Sequence, residues 1–186
     1  IAAAILEGNH GLKPADYQAV PGNDSRLAQF LVQKDIDAAA LRTVTLALLP
    51  DVKMRRLGTF REEWKRLTRQ DAPPVLGVGL MRKAWMAQNP DGPAKVVAAM
   101  RKAFEYGKAD KPGVAKILMA SANLNATDAA AYAALWDGIY TVSLEPADIA
   151  SLKREFEVFK AVGAVQGSLP EGALVPGPYE QSKAIP

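Results

Sequence analysis

The sequence predicts an α/β protein, on three observations. The first is the stretch Asp24–Pro50, which reads as a helix, a short apolar strand, a polar turn and a new helix. The second is that helical and strand-like runs alternate over residues 1–72, the mark of a parallel sheet with crossover helices. The third is a further apolar run, Val75–Leu80, set off by Pro73 and Pro74.

Taken in order, Ile1–Glu7 is helical by pattern, with Gly8, Asn9 and Gly11 to end it and Leu12 placed for a hydrophobic cap contact. Pro14-Ala15-Asp16 is a turn into a short strand, Tyr17–Val20, closed by Pro21-Gly22-Asn23. Asp24 and Ser25 read as an N-cap, Leu27, Phe30 and Leu31 fall at helical spacing, and Lys34-Asp35 closes the helix. Ile36–Ala40 is read as a buried parallel strand. Leu41-Arg42-Thr43 is the polar break, and Val44–Leu49 a helix stopped by Pro50. Val52–Leu57 alternates like a half-exposed strand, and Phe60–Thr68 is a helix with Phe60, Trp64 and Leu67 on one face.

Beyond Val75–Leu80, whose two glycines suggest close approach by another backbone or a ligand, the texture is helical. A short helix ends over Trp85–Asn89, Pro93 sits at a helix start, and Ala94–Tyr106 is amphipathic. Lys111-Pro112 opens a helix over Val114–Met119, Asn125–Asp128 caps Ala129–Trp136, and Pro146–Val162 carries Ile149, Leu152, Phe156 and Phe159 along one side. Gly167–Pro186 reads as a tail over the surface. The division is an α/β part over 1–72, a joining strand over 73–80, helices over 81–165 and a tail over 166–186.

Composition excludes several classes. A chain of 186 residues with 49% hydrophobic and 23% charged content is ordinary for a globular protein. The net charge of +3 is spread along the chain, and Glu62 and Glu63 interrupt the densest basic run, Lys53–Arg69, so a solvated helix face is favoured and no nucleic-acid partner is expected. The absence of cysteine removes disulfides and thiolate chemistry. No run approaches the roughly 20 apolar residues of a membrane span. The chain opens without Met or a signal peptide on what reads as a helix under way, which suggests a processed or partial chain.

Ligands of open α/β sheets bind outside the carboxyl ends of the strands. That rule selects Arg42 and Thr43, with Leu41 and Ala40 beside them. A guanidinium grips an oxyanion through paired hydrogen bonds, and a hydroxyl at a helix start adds a donor. No catalytic constellation appears. His10 stands alone at a helix end, and Glu62-Glu63 lie side by side without facing each other. Asp35 and Asp37 only flank a strand start, and Gly77-x-Gly79 lacks a dinucleotide fingerprint. No metal site and no cofactor is expected, and Trp64, Trp85 and Trp136 read as core.

The chain resembles the solute-binding proteins of ABC importers for nitrate, taurine, alkanesulfonates and thiamine-pyrimidine precursors. The resemblance rests on Gly11-Leu12-Lys13-Pro14-Ala15-Asp16 after a helix, on Lys34-Asp35-Ile36-Asp37-Ala38-Ala39 at a helix end, and on Trp64 with the run Val75–Leu80. Asn89-Pro90 before a helix and Ala161-Val162-Gly163-Ala164-Val165 after a long one complete it. It implies a two-lobed type II periplasmic-binding fold with an incomplete first lobe, in which 1–72 is most of the second lobe, 73–80 a crossing strand and 81–165 helices packed on the first lobe. The function it implies is non-enzymatic: capture of a small organic anion or zwitterion in a hinged inter-lobe cleft, and delivery to a membrane permease from the periplasm. Two departures stand out: Arg42-Thr43-Val44 where the family often has a proline, and no Gly/Ser/Thr turn before the first helix of that lobe. A pyrimidine-precursor synthase of the same fold and the ligand-sensing domain of a transcription regulator are the alternatives. On the cleft reading, Arg42→Ala weakens an anionic solute by about 1.5–3 kcal/mol by calorimetry; unchanged affinity opposes it.

Overall fold

Every regular element is helical. The structure is a computed structural model that describes residues 1–49, 52–139 and 141–186. In chain order come α1 (Ala2–His10), a 3-10 turn (Pro14–Asp16), α2 (Asp24–Gln33), α3 (Thr43–Ala47), α4 (Phe60–Thr68) and α5 (Lys83–Gln88). Then follow α6 (Gly92–Ala109), α7 (Lys111–Ala122), α8 (Ala126–Ala134), α9 (Trp136–Ile139), α10 (Pro146–Ala161) and α11 (Gly177–Ser182). Among the described residues there is no β-strand. The expected α/β class is therefore corrected to all-α, and the two-lobed type II periplasmic-binding fold, which is built on sheets, is corrected with it.

The helices begin and end where local chemistry places them. The Gly11 N–H reaches Glu7 O and the Leu12 N–H reaches Leu6 O, both at 3.0 Å, around a Gly11 φ of +69°. A reciprocal box starts α4: Thr59 Oγ1 accepts the Glu62 N–H, and Glu62 Oε2 accepts the Thr59 N–H, each at 3.2 Å. Asn125 Oδ1 caps α8 through the Asp128 N–H at 2.9 Å, and Asp110 Oδ1 caps α7 through the Gly113 N–H at 2.8 Å. The cap of α2 is Asn23, whose Oδ1 accepts the Arg26 N–H at 2.9 Å, one residue before the expected Asp24. Pro50, expected to stop α3, lies outside the described residues.

The expected strands Tyr17–Val20, Ile36–Ala40, Val52–Leu57 and Val75–Leu80 are irregular segments. The last three carry residues poor at holding a ladder: three alanines in 38–40, adjacent Arg55 and Arg56, and Gly77 and Gly79 behind two prolines. No other described backbone approaches Gly77 or Gly79 closely, since a Cβ at either would meet nothing within 4 Å. A two-residue alternation of apolar side chains marks extended chain, and extended chain becomes a strand only when another strand pairs with it.

The chain forms two compact units from interleaved segments: 1–19, 56–98 and 143–186 in one, 20–55 and 99–142 in the other. In the first, α1 packs on α4, joined by Asn9 Nδ2, which donates to the Glu63 carbonyl at 2.8 Å and its Oε2 at 2.9 Å. Trp64 is fully buried there, and its indole N–H has no partner among the described residues. Burying an indole stabilises by about 4–6 kcal/mol, against about 1–3 kcal/mol for a stranded donor; burial wins. In the second unit, α8 turns its buried Ala129 and Ala133 inward and packs on α7 and α3.

Trp136 lies across α6 in that second unit, its Nε1–H donating to Phe104 O at 3.0 Å. A Cβ on Gly107 would sit 2.2 Å from Trp136 Cε2. Helix propensity alone predicts that Gly107→Ala stabilises by about 1 kcal/mol; the ring contact predicts the reverse. Gly107→Ala therefore lowers the denaturation midpoint, and a rise in it would show that the indole yields freely.

Candidate functional site

The residues selected from sequence line neither of the two grooves described below. Ala40 and Thr43 are exposed, Leu41 is half-buried, and the strand whose end they were expected to mark is absent. Arg42 serves as the N-cap position of α3, with its Nε 2.7 Å from Asp24 Oδ2. The same carboxylate oxygen accepts the Thr45 hydroxyl at 2.6 Å and the Arg42 N–H at 3.3 Å. These contacts, Thr45 first and Arg42 next, hold the Asp24 carboxyl below the usual aspartate range. Asp24 is free to gather these donors because Asn23 has taken the capping role. The arrangement clips α3 to α2.

A groove lies along α10. At about 100° per residue, Ile149, Lys153 and Phe156 share one side of that helix while Ser151 and Glu155 share the opposite one. The opposite side is the buried one: Ser151 is 2% exposed and Glu155 4%. Ser151 Oγ donates to Pro73 O at 2.8 Å, and Glu155 Oε2 accepts the Val75 N–H at 2.9 Å. Two polar side chains thus complete the backbone of residues 73–75, and the helix presents its other side to residues 168–176.

That second segment is held at both ends. α10 closes with Gly163 at φ +72° and the Ala164 N–H on Phe159 O at 2.8 Å. Downstream, Tyr179 OH and Lys183 Nζ both reach Glu145 Oε1 at 2.8 Å, and the Lys183 ammonium stands 4.6 Å from the Tyr179 ring centre. The two carboxylates Glu145 and Glu180 raise the Lys183 pKa. Between these anchors Gly172, at φ +70°, lets the Ala173 N–H turn back onto Pro170 O at 3.1 Å. The result is a groove of about 530 Å³. Its floor is Ile149, Phe156, Leu169 and Leu174, and its charged groups are Lys153, Glu157 and Glu171. None of those three charges forms an ion pair with another described residue.

A shallower hollow of about 440 Å³ adjoins α4, lined only by Glu62, Lys65, Arg66, Arg69 and Asp71. Here the charges are paired: Lys65 with Asp71 at 2.5 Å and Arg66 with Glu63 at 3.5 Å. His10 Nε2 lies 3.0 Å from Glu63 Oε2. Among the described residues no group of three or more His, Cys, Asp or Glu is placed to hold a metal ion.

No family model, curated protein or solved structure matches this chain. The groove therefore speaks through its own chemistry. Sequence reasoning placed Ile149 and Phe156 on one side of a helix but read residues 167–186 as a surface tail. The available signal was Pro176-Gly177-Pro178 before an aromatic residue, a helix start with a side chain to bury. Tyr179 is 8% exposed and Ser182 1%.

Burial pushes the Glu155 carboxyl above the usual glutamate value, and the Val75 N–H offsets part of that. The folded chain then binds this proton more tightly than the unfolded chain, so stability gains as pH falls through the folded-state pKa and is lost as pH rises through it. Glu155→Gln keeps an acceptor without the charge, and leaves stability at neutral pH equal or higher. Glu155→Ala strands the Val75 N–H and costs about 1–3 kcal/mol. Urea denaturation at neutral and mildly acid pH measures both, and equal damage from the two variants would assign the clamp to charge instead.

Proposed function

We propose that this chain is a non-enzymatic binding protein that holds a small organic anion or zwitterion with an apolar body in the α10 groove. The observation that carries the reading is Lys153, an ammonium that pairs with no carboxylate among the described residues, standing between Ile149 and Phe156 on a half-buried apolar floor. Pockets of this make-up take ligands by apolar burial and use a few polar groups to orient them. Lys153 suits a sulfonate or carboxylate end, and Glu157 and Glu171 suit an ammonium at the other. Handing the solute to a membrane permease is the fuller form of the proposal, and its support is the sequence resemblance. No helix among the described residues is long and apolar enough to cross a membrane.

Thermal-shift and calorimetric titration against amino-sulfonates, nitrate, pyrimidines and aromatic acids tests the proposal. A ligand at about 100 times its Kd stabilises by about 2.7 kcal/mol, a readily measured shift. Lys153→Gln and Phe156→Ser abolish that shift, while Arg42→Ala leaves it in place. Loss with Arg42→Ala and retention with Lys153→Gln would move the site back to the α2–α3 clip; no shift with any of these solutes would end the proposal.

A further inference from the structure

The segment Val75–Leu80 is anchored at its base and bare at its tip. Pro73 and Val75 are held by Ser151 and Glu155 of α10. Immediately beyond, Leu76 is 79% exposed, Val78 57% and Leu80 89%, the two leucines being the most exposed of the large hydrophobic residues. Gly77 and Gly79 separate them, and a Cβ at either would meet nothing within 4 Å. Three large apolar side chains held in water on a fixed base are not the scattered exposure of an ordinary surface.

Along the chain, the charges that follow this tip are cationic, while the Glu155 carboxylate sits at its base on the Val75 N–H. From Ala72 to Pro90 the chain contains no Asp or Glu, whereas Arg82 and Lys83 follow the tip directly. Both cations are exposed, and neither forms an ion pair with another described residue. Trp85 and Met86 come next in α5, with the Trp85 ring standing against Gly92. Between Asp71 and Arg82 there is no hydrogen-bonding side chain at all. Its side chains offer none of the polar rim that usually surrounds a protein–protein contact. Apolar side chains with cations just behind them match instead the layered chemistry of a bilayer: acyl chains below, anionic headgroups above.

From this juxtaposition we infer that the Leu76–Leu80 tip is a membrane-surface contact, inserting shallowly into an anionic bilayer with Arg82 and Lys83 on the headgroups. The backbone limits the depth. The N–H groups of Leu76–Leu80 donate to no other described residue, and unsatisfied amides are excluded from hydrocarbon. The side chains therefore enter the boundary between headgroups and acyl chains, while water and headgroup oxygens complete the backbone. This contact is separate from the α10 groove and stands whether or not a solute binds there.

The chain has no cysteine, so Val78→Cys supplies a single attachment point for an environment-sensitive fluorophore on the full chain. Vesicles of phosphatidylcholine alone are compared with vesicles containing phosphatidylglycerol. Emission rises and shifts to the blue with the anionic vesicles, and lipids carrying a quencher near the headgroup extinguish it more than lipids carrying one at the chain end. In co-sedimentation of unlabelled protein, Arg82→Gln with Lys83→Gln weakens binding about 30-fold, and raised salt does the same. Leu76→Ser with Leu80→Ser abolishes binding. Because these side chains are exposed, circular dichroism of the variants matches that of the parent. Equal binding to neutral and anionic vesicles, or none to either, overturns the inference. Concentration-dependent self-association lost with the Leu76 and Leu80 changes would overturn it too, by giving the tip to a second copy.

Discussion

The structure depends on two polar side chains of α10 meeting the backbone of residues 73–75. Ser151 and Glu155 are the most buried residues of that helix, a position that apolar packing would ordinarily claim. A loop that crosses a helix brings carbonyl and amide groups out of water, and each must find a partner or cost about 1–3 kcal/mol. One hydroxyl and one carboxylate, a helical turn apart, meet that need. Their placement turns Ile149, Lys153 and Phe156 towards the C-terminal segment, and it fixes the point from which the apolar tip departs. Groove and tip are thus two consequences of one helix having a polar inner face.

Elsewhere, too, carboxylates organise the chain by collecting donors. Asp24 joins α2 to α3 through the Thr45 hydroxyl and Arg42, Glu63 joins α1 to α4 through Asn9 and His10, and Glu145 receives Tyr179 and Lys183. Exposed ion pairs alone contribute little. A carboxylate that accepts several hydrogen bonds from two elements specifies how they meet, which matters for helices with so few large buried side chains.

Helices were legible in the sequence because their signals are local. Pro112, Asn125 and Pro146 mark starts that the structure keeps, and Gly11 marks an end. Strands were misread because their signal is not local: Val75–Leu80 alternates as a strand does, but pairing is decided by residues elsewhere. The candidate site shared that fault. Arg42 and Thr43 were chosen by a rule about strand ends, and without the strand the rule has nothing to act on. The floor residues Ile149 and Phe156 were visible as one side of a helix. Their function as a groove wall was not, because the facing wall is made by a loop whose course is set by Tyr179 and Lys183 reaching back to Glu145.

The interleaving of segments bears on how the chain acquires its structure during synthesis. The unit holding both groove and tip is assembled from residues 1–19, 56–98 and 143–186, so its last piece leaves the ribosome well after its first. Until α10 emerges, the carbonyl of Pro73 and the amide of Val75 lack the Ser151 and Glu155 partners they have in the folded chain. Contacts so distant along the chain close slowly, and nascent chains of this kind are the ones that chaperones shelter.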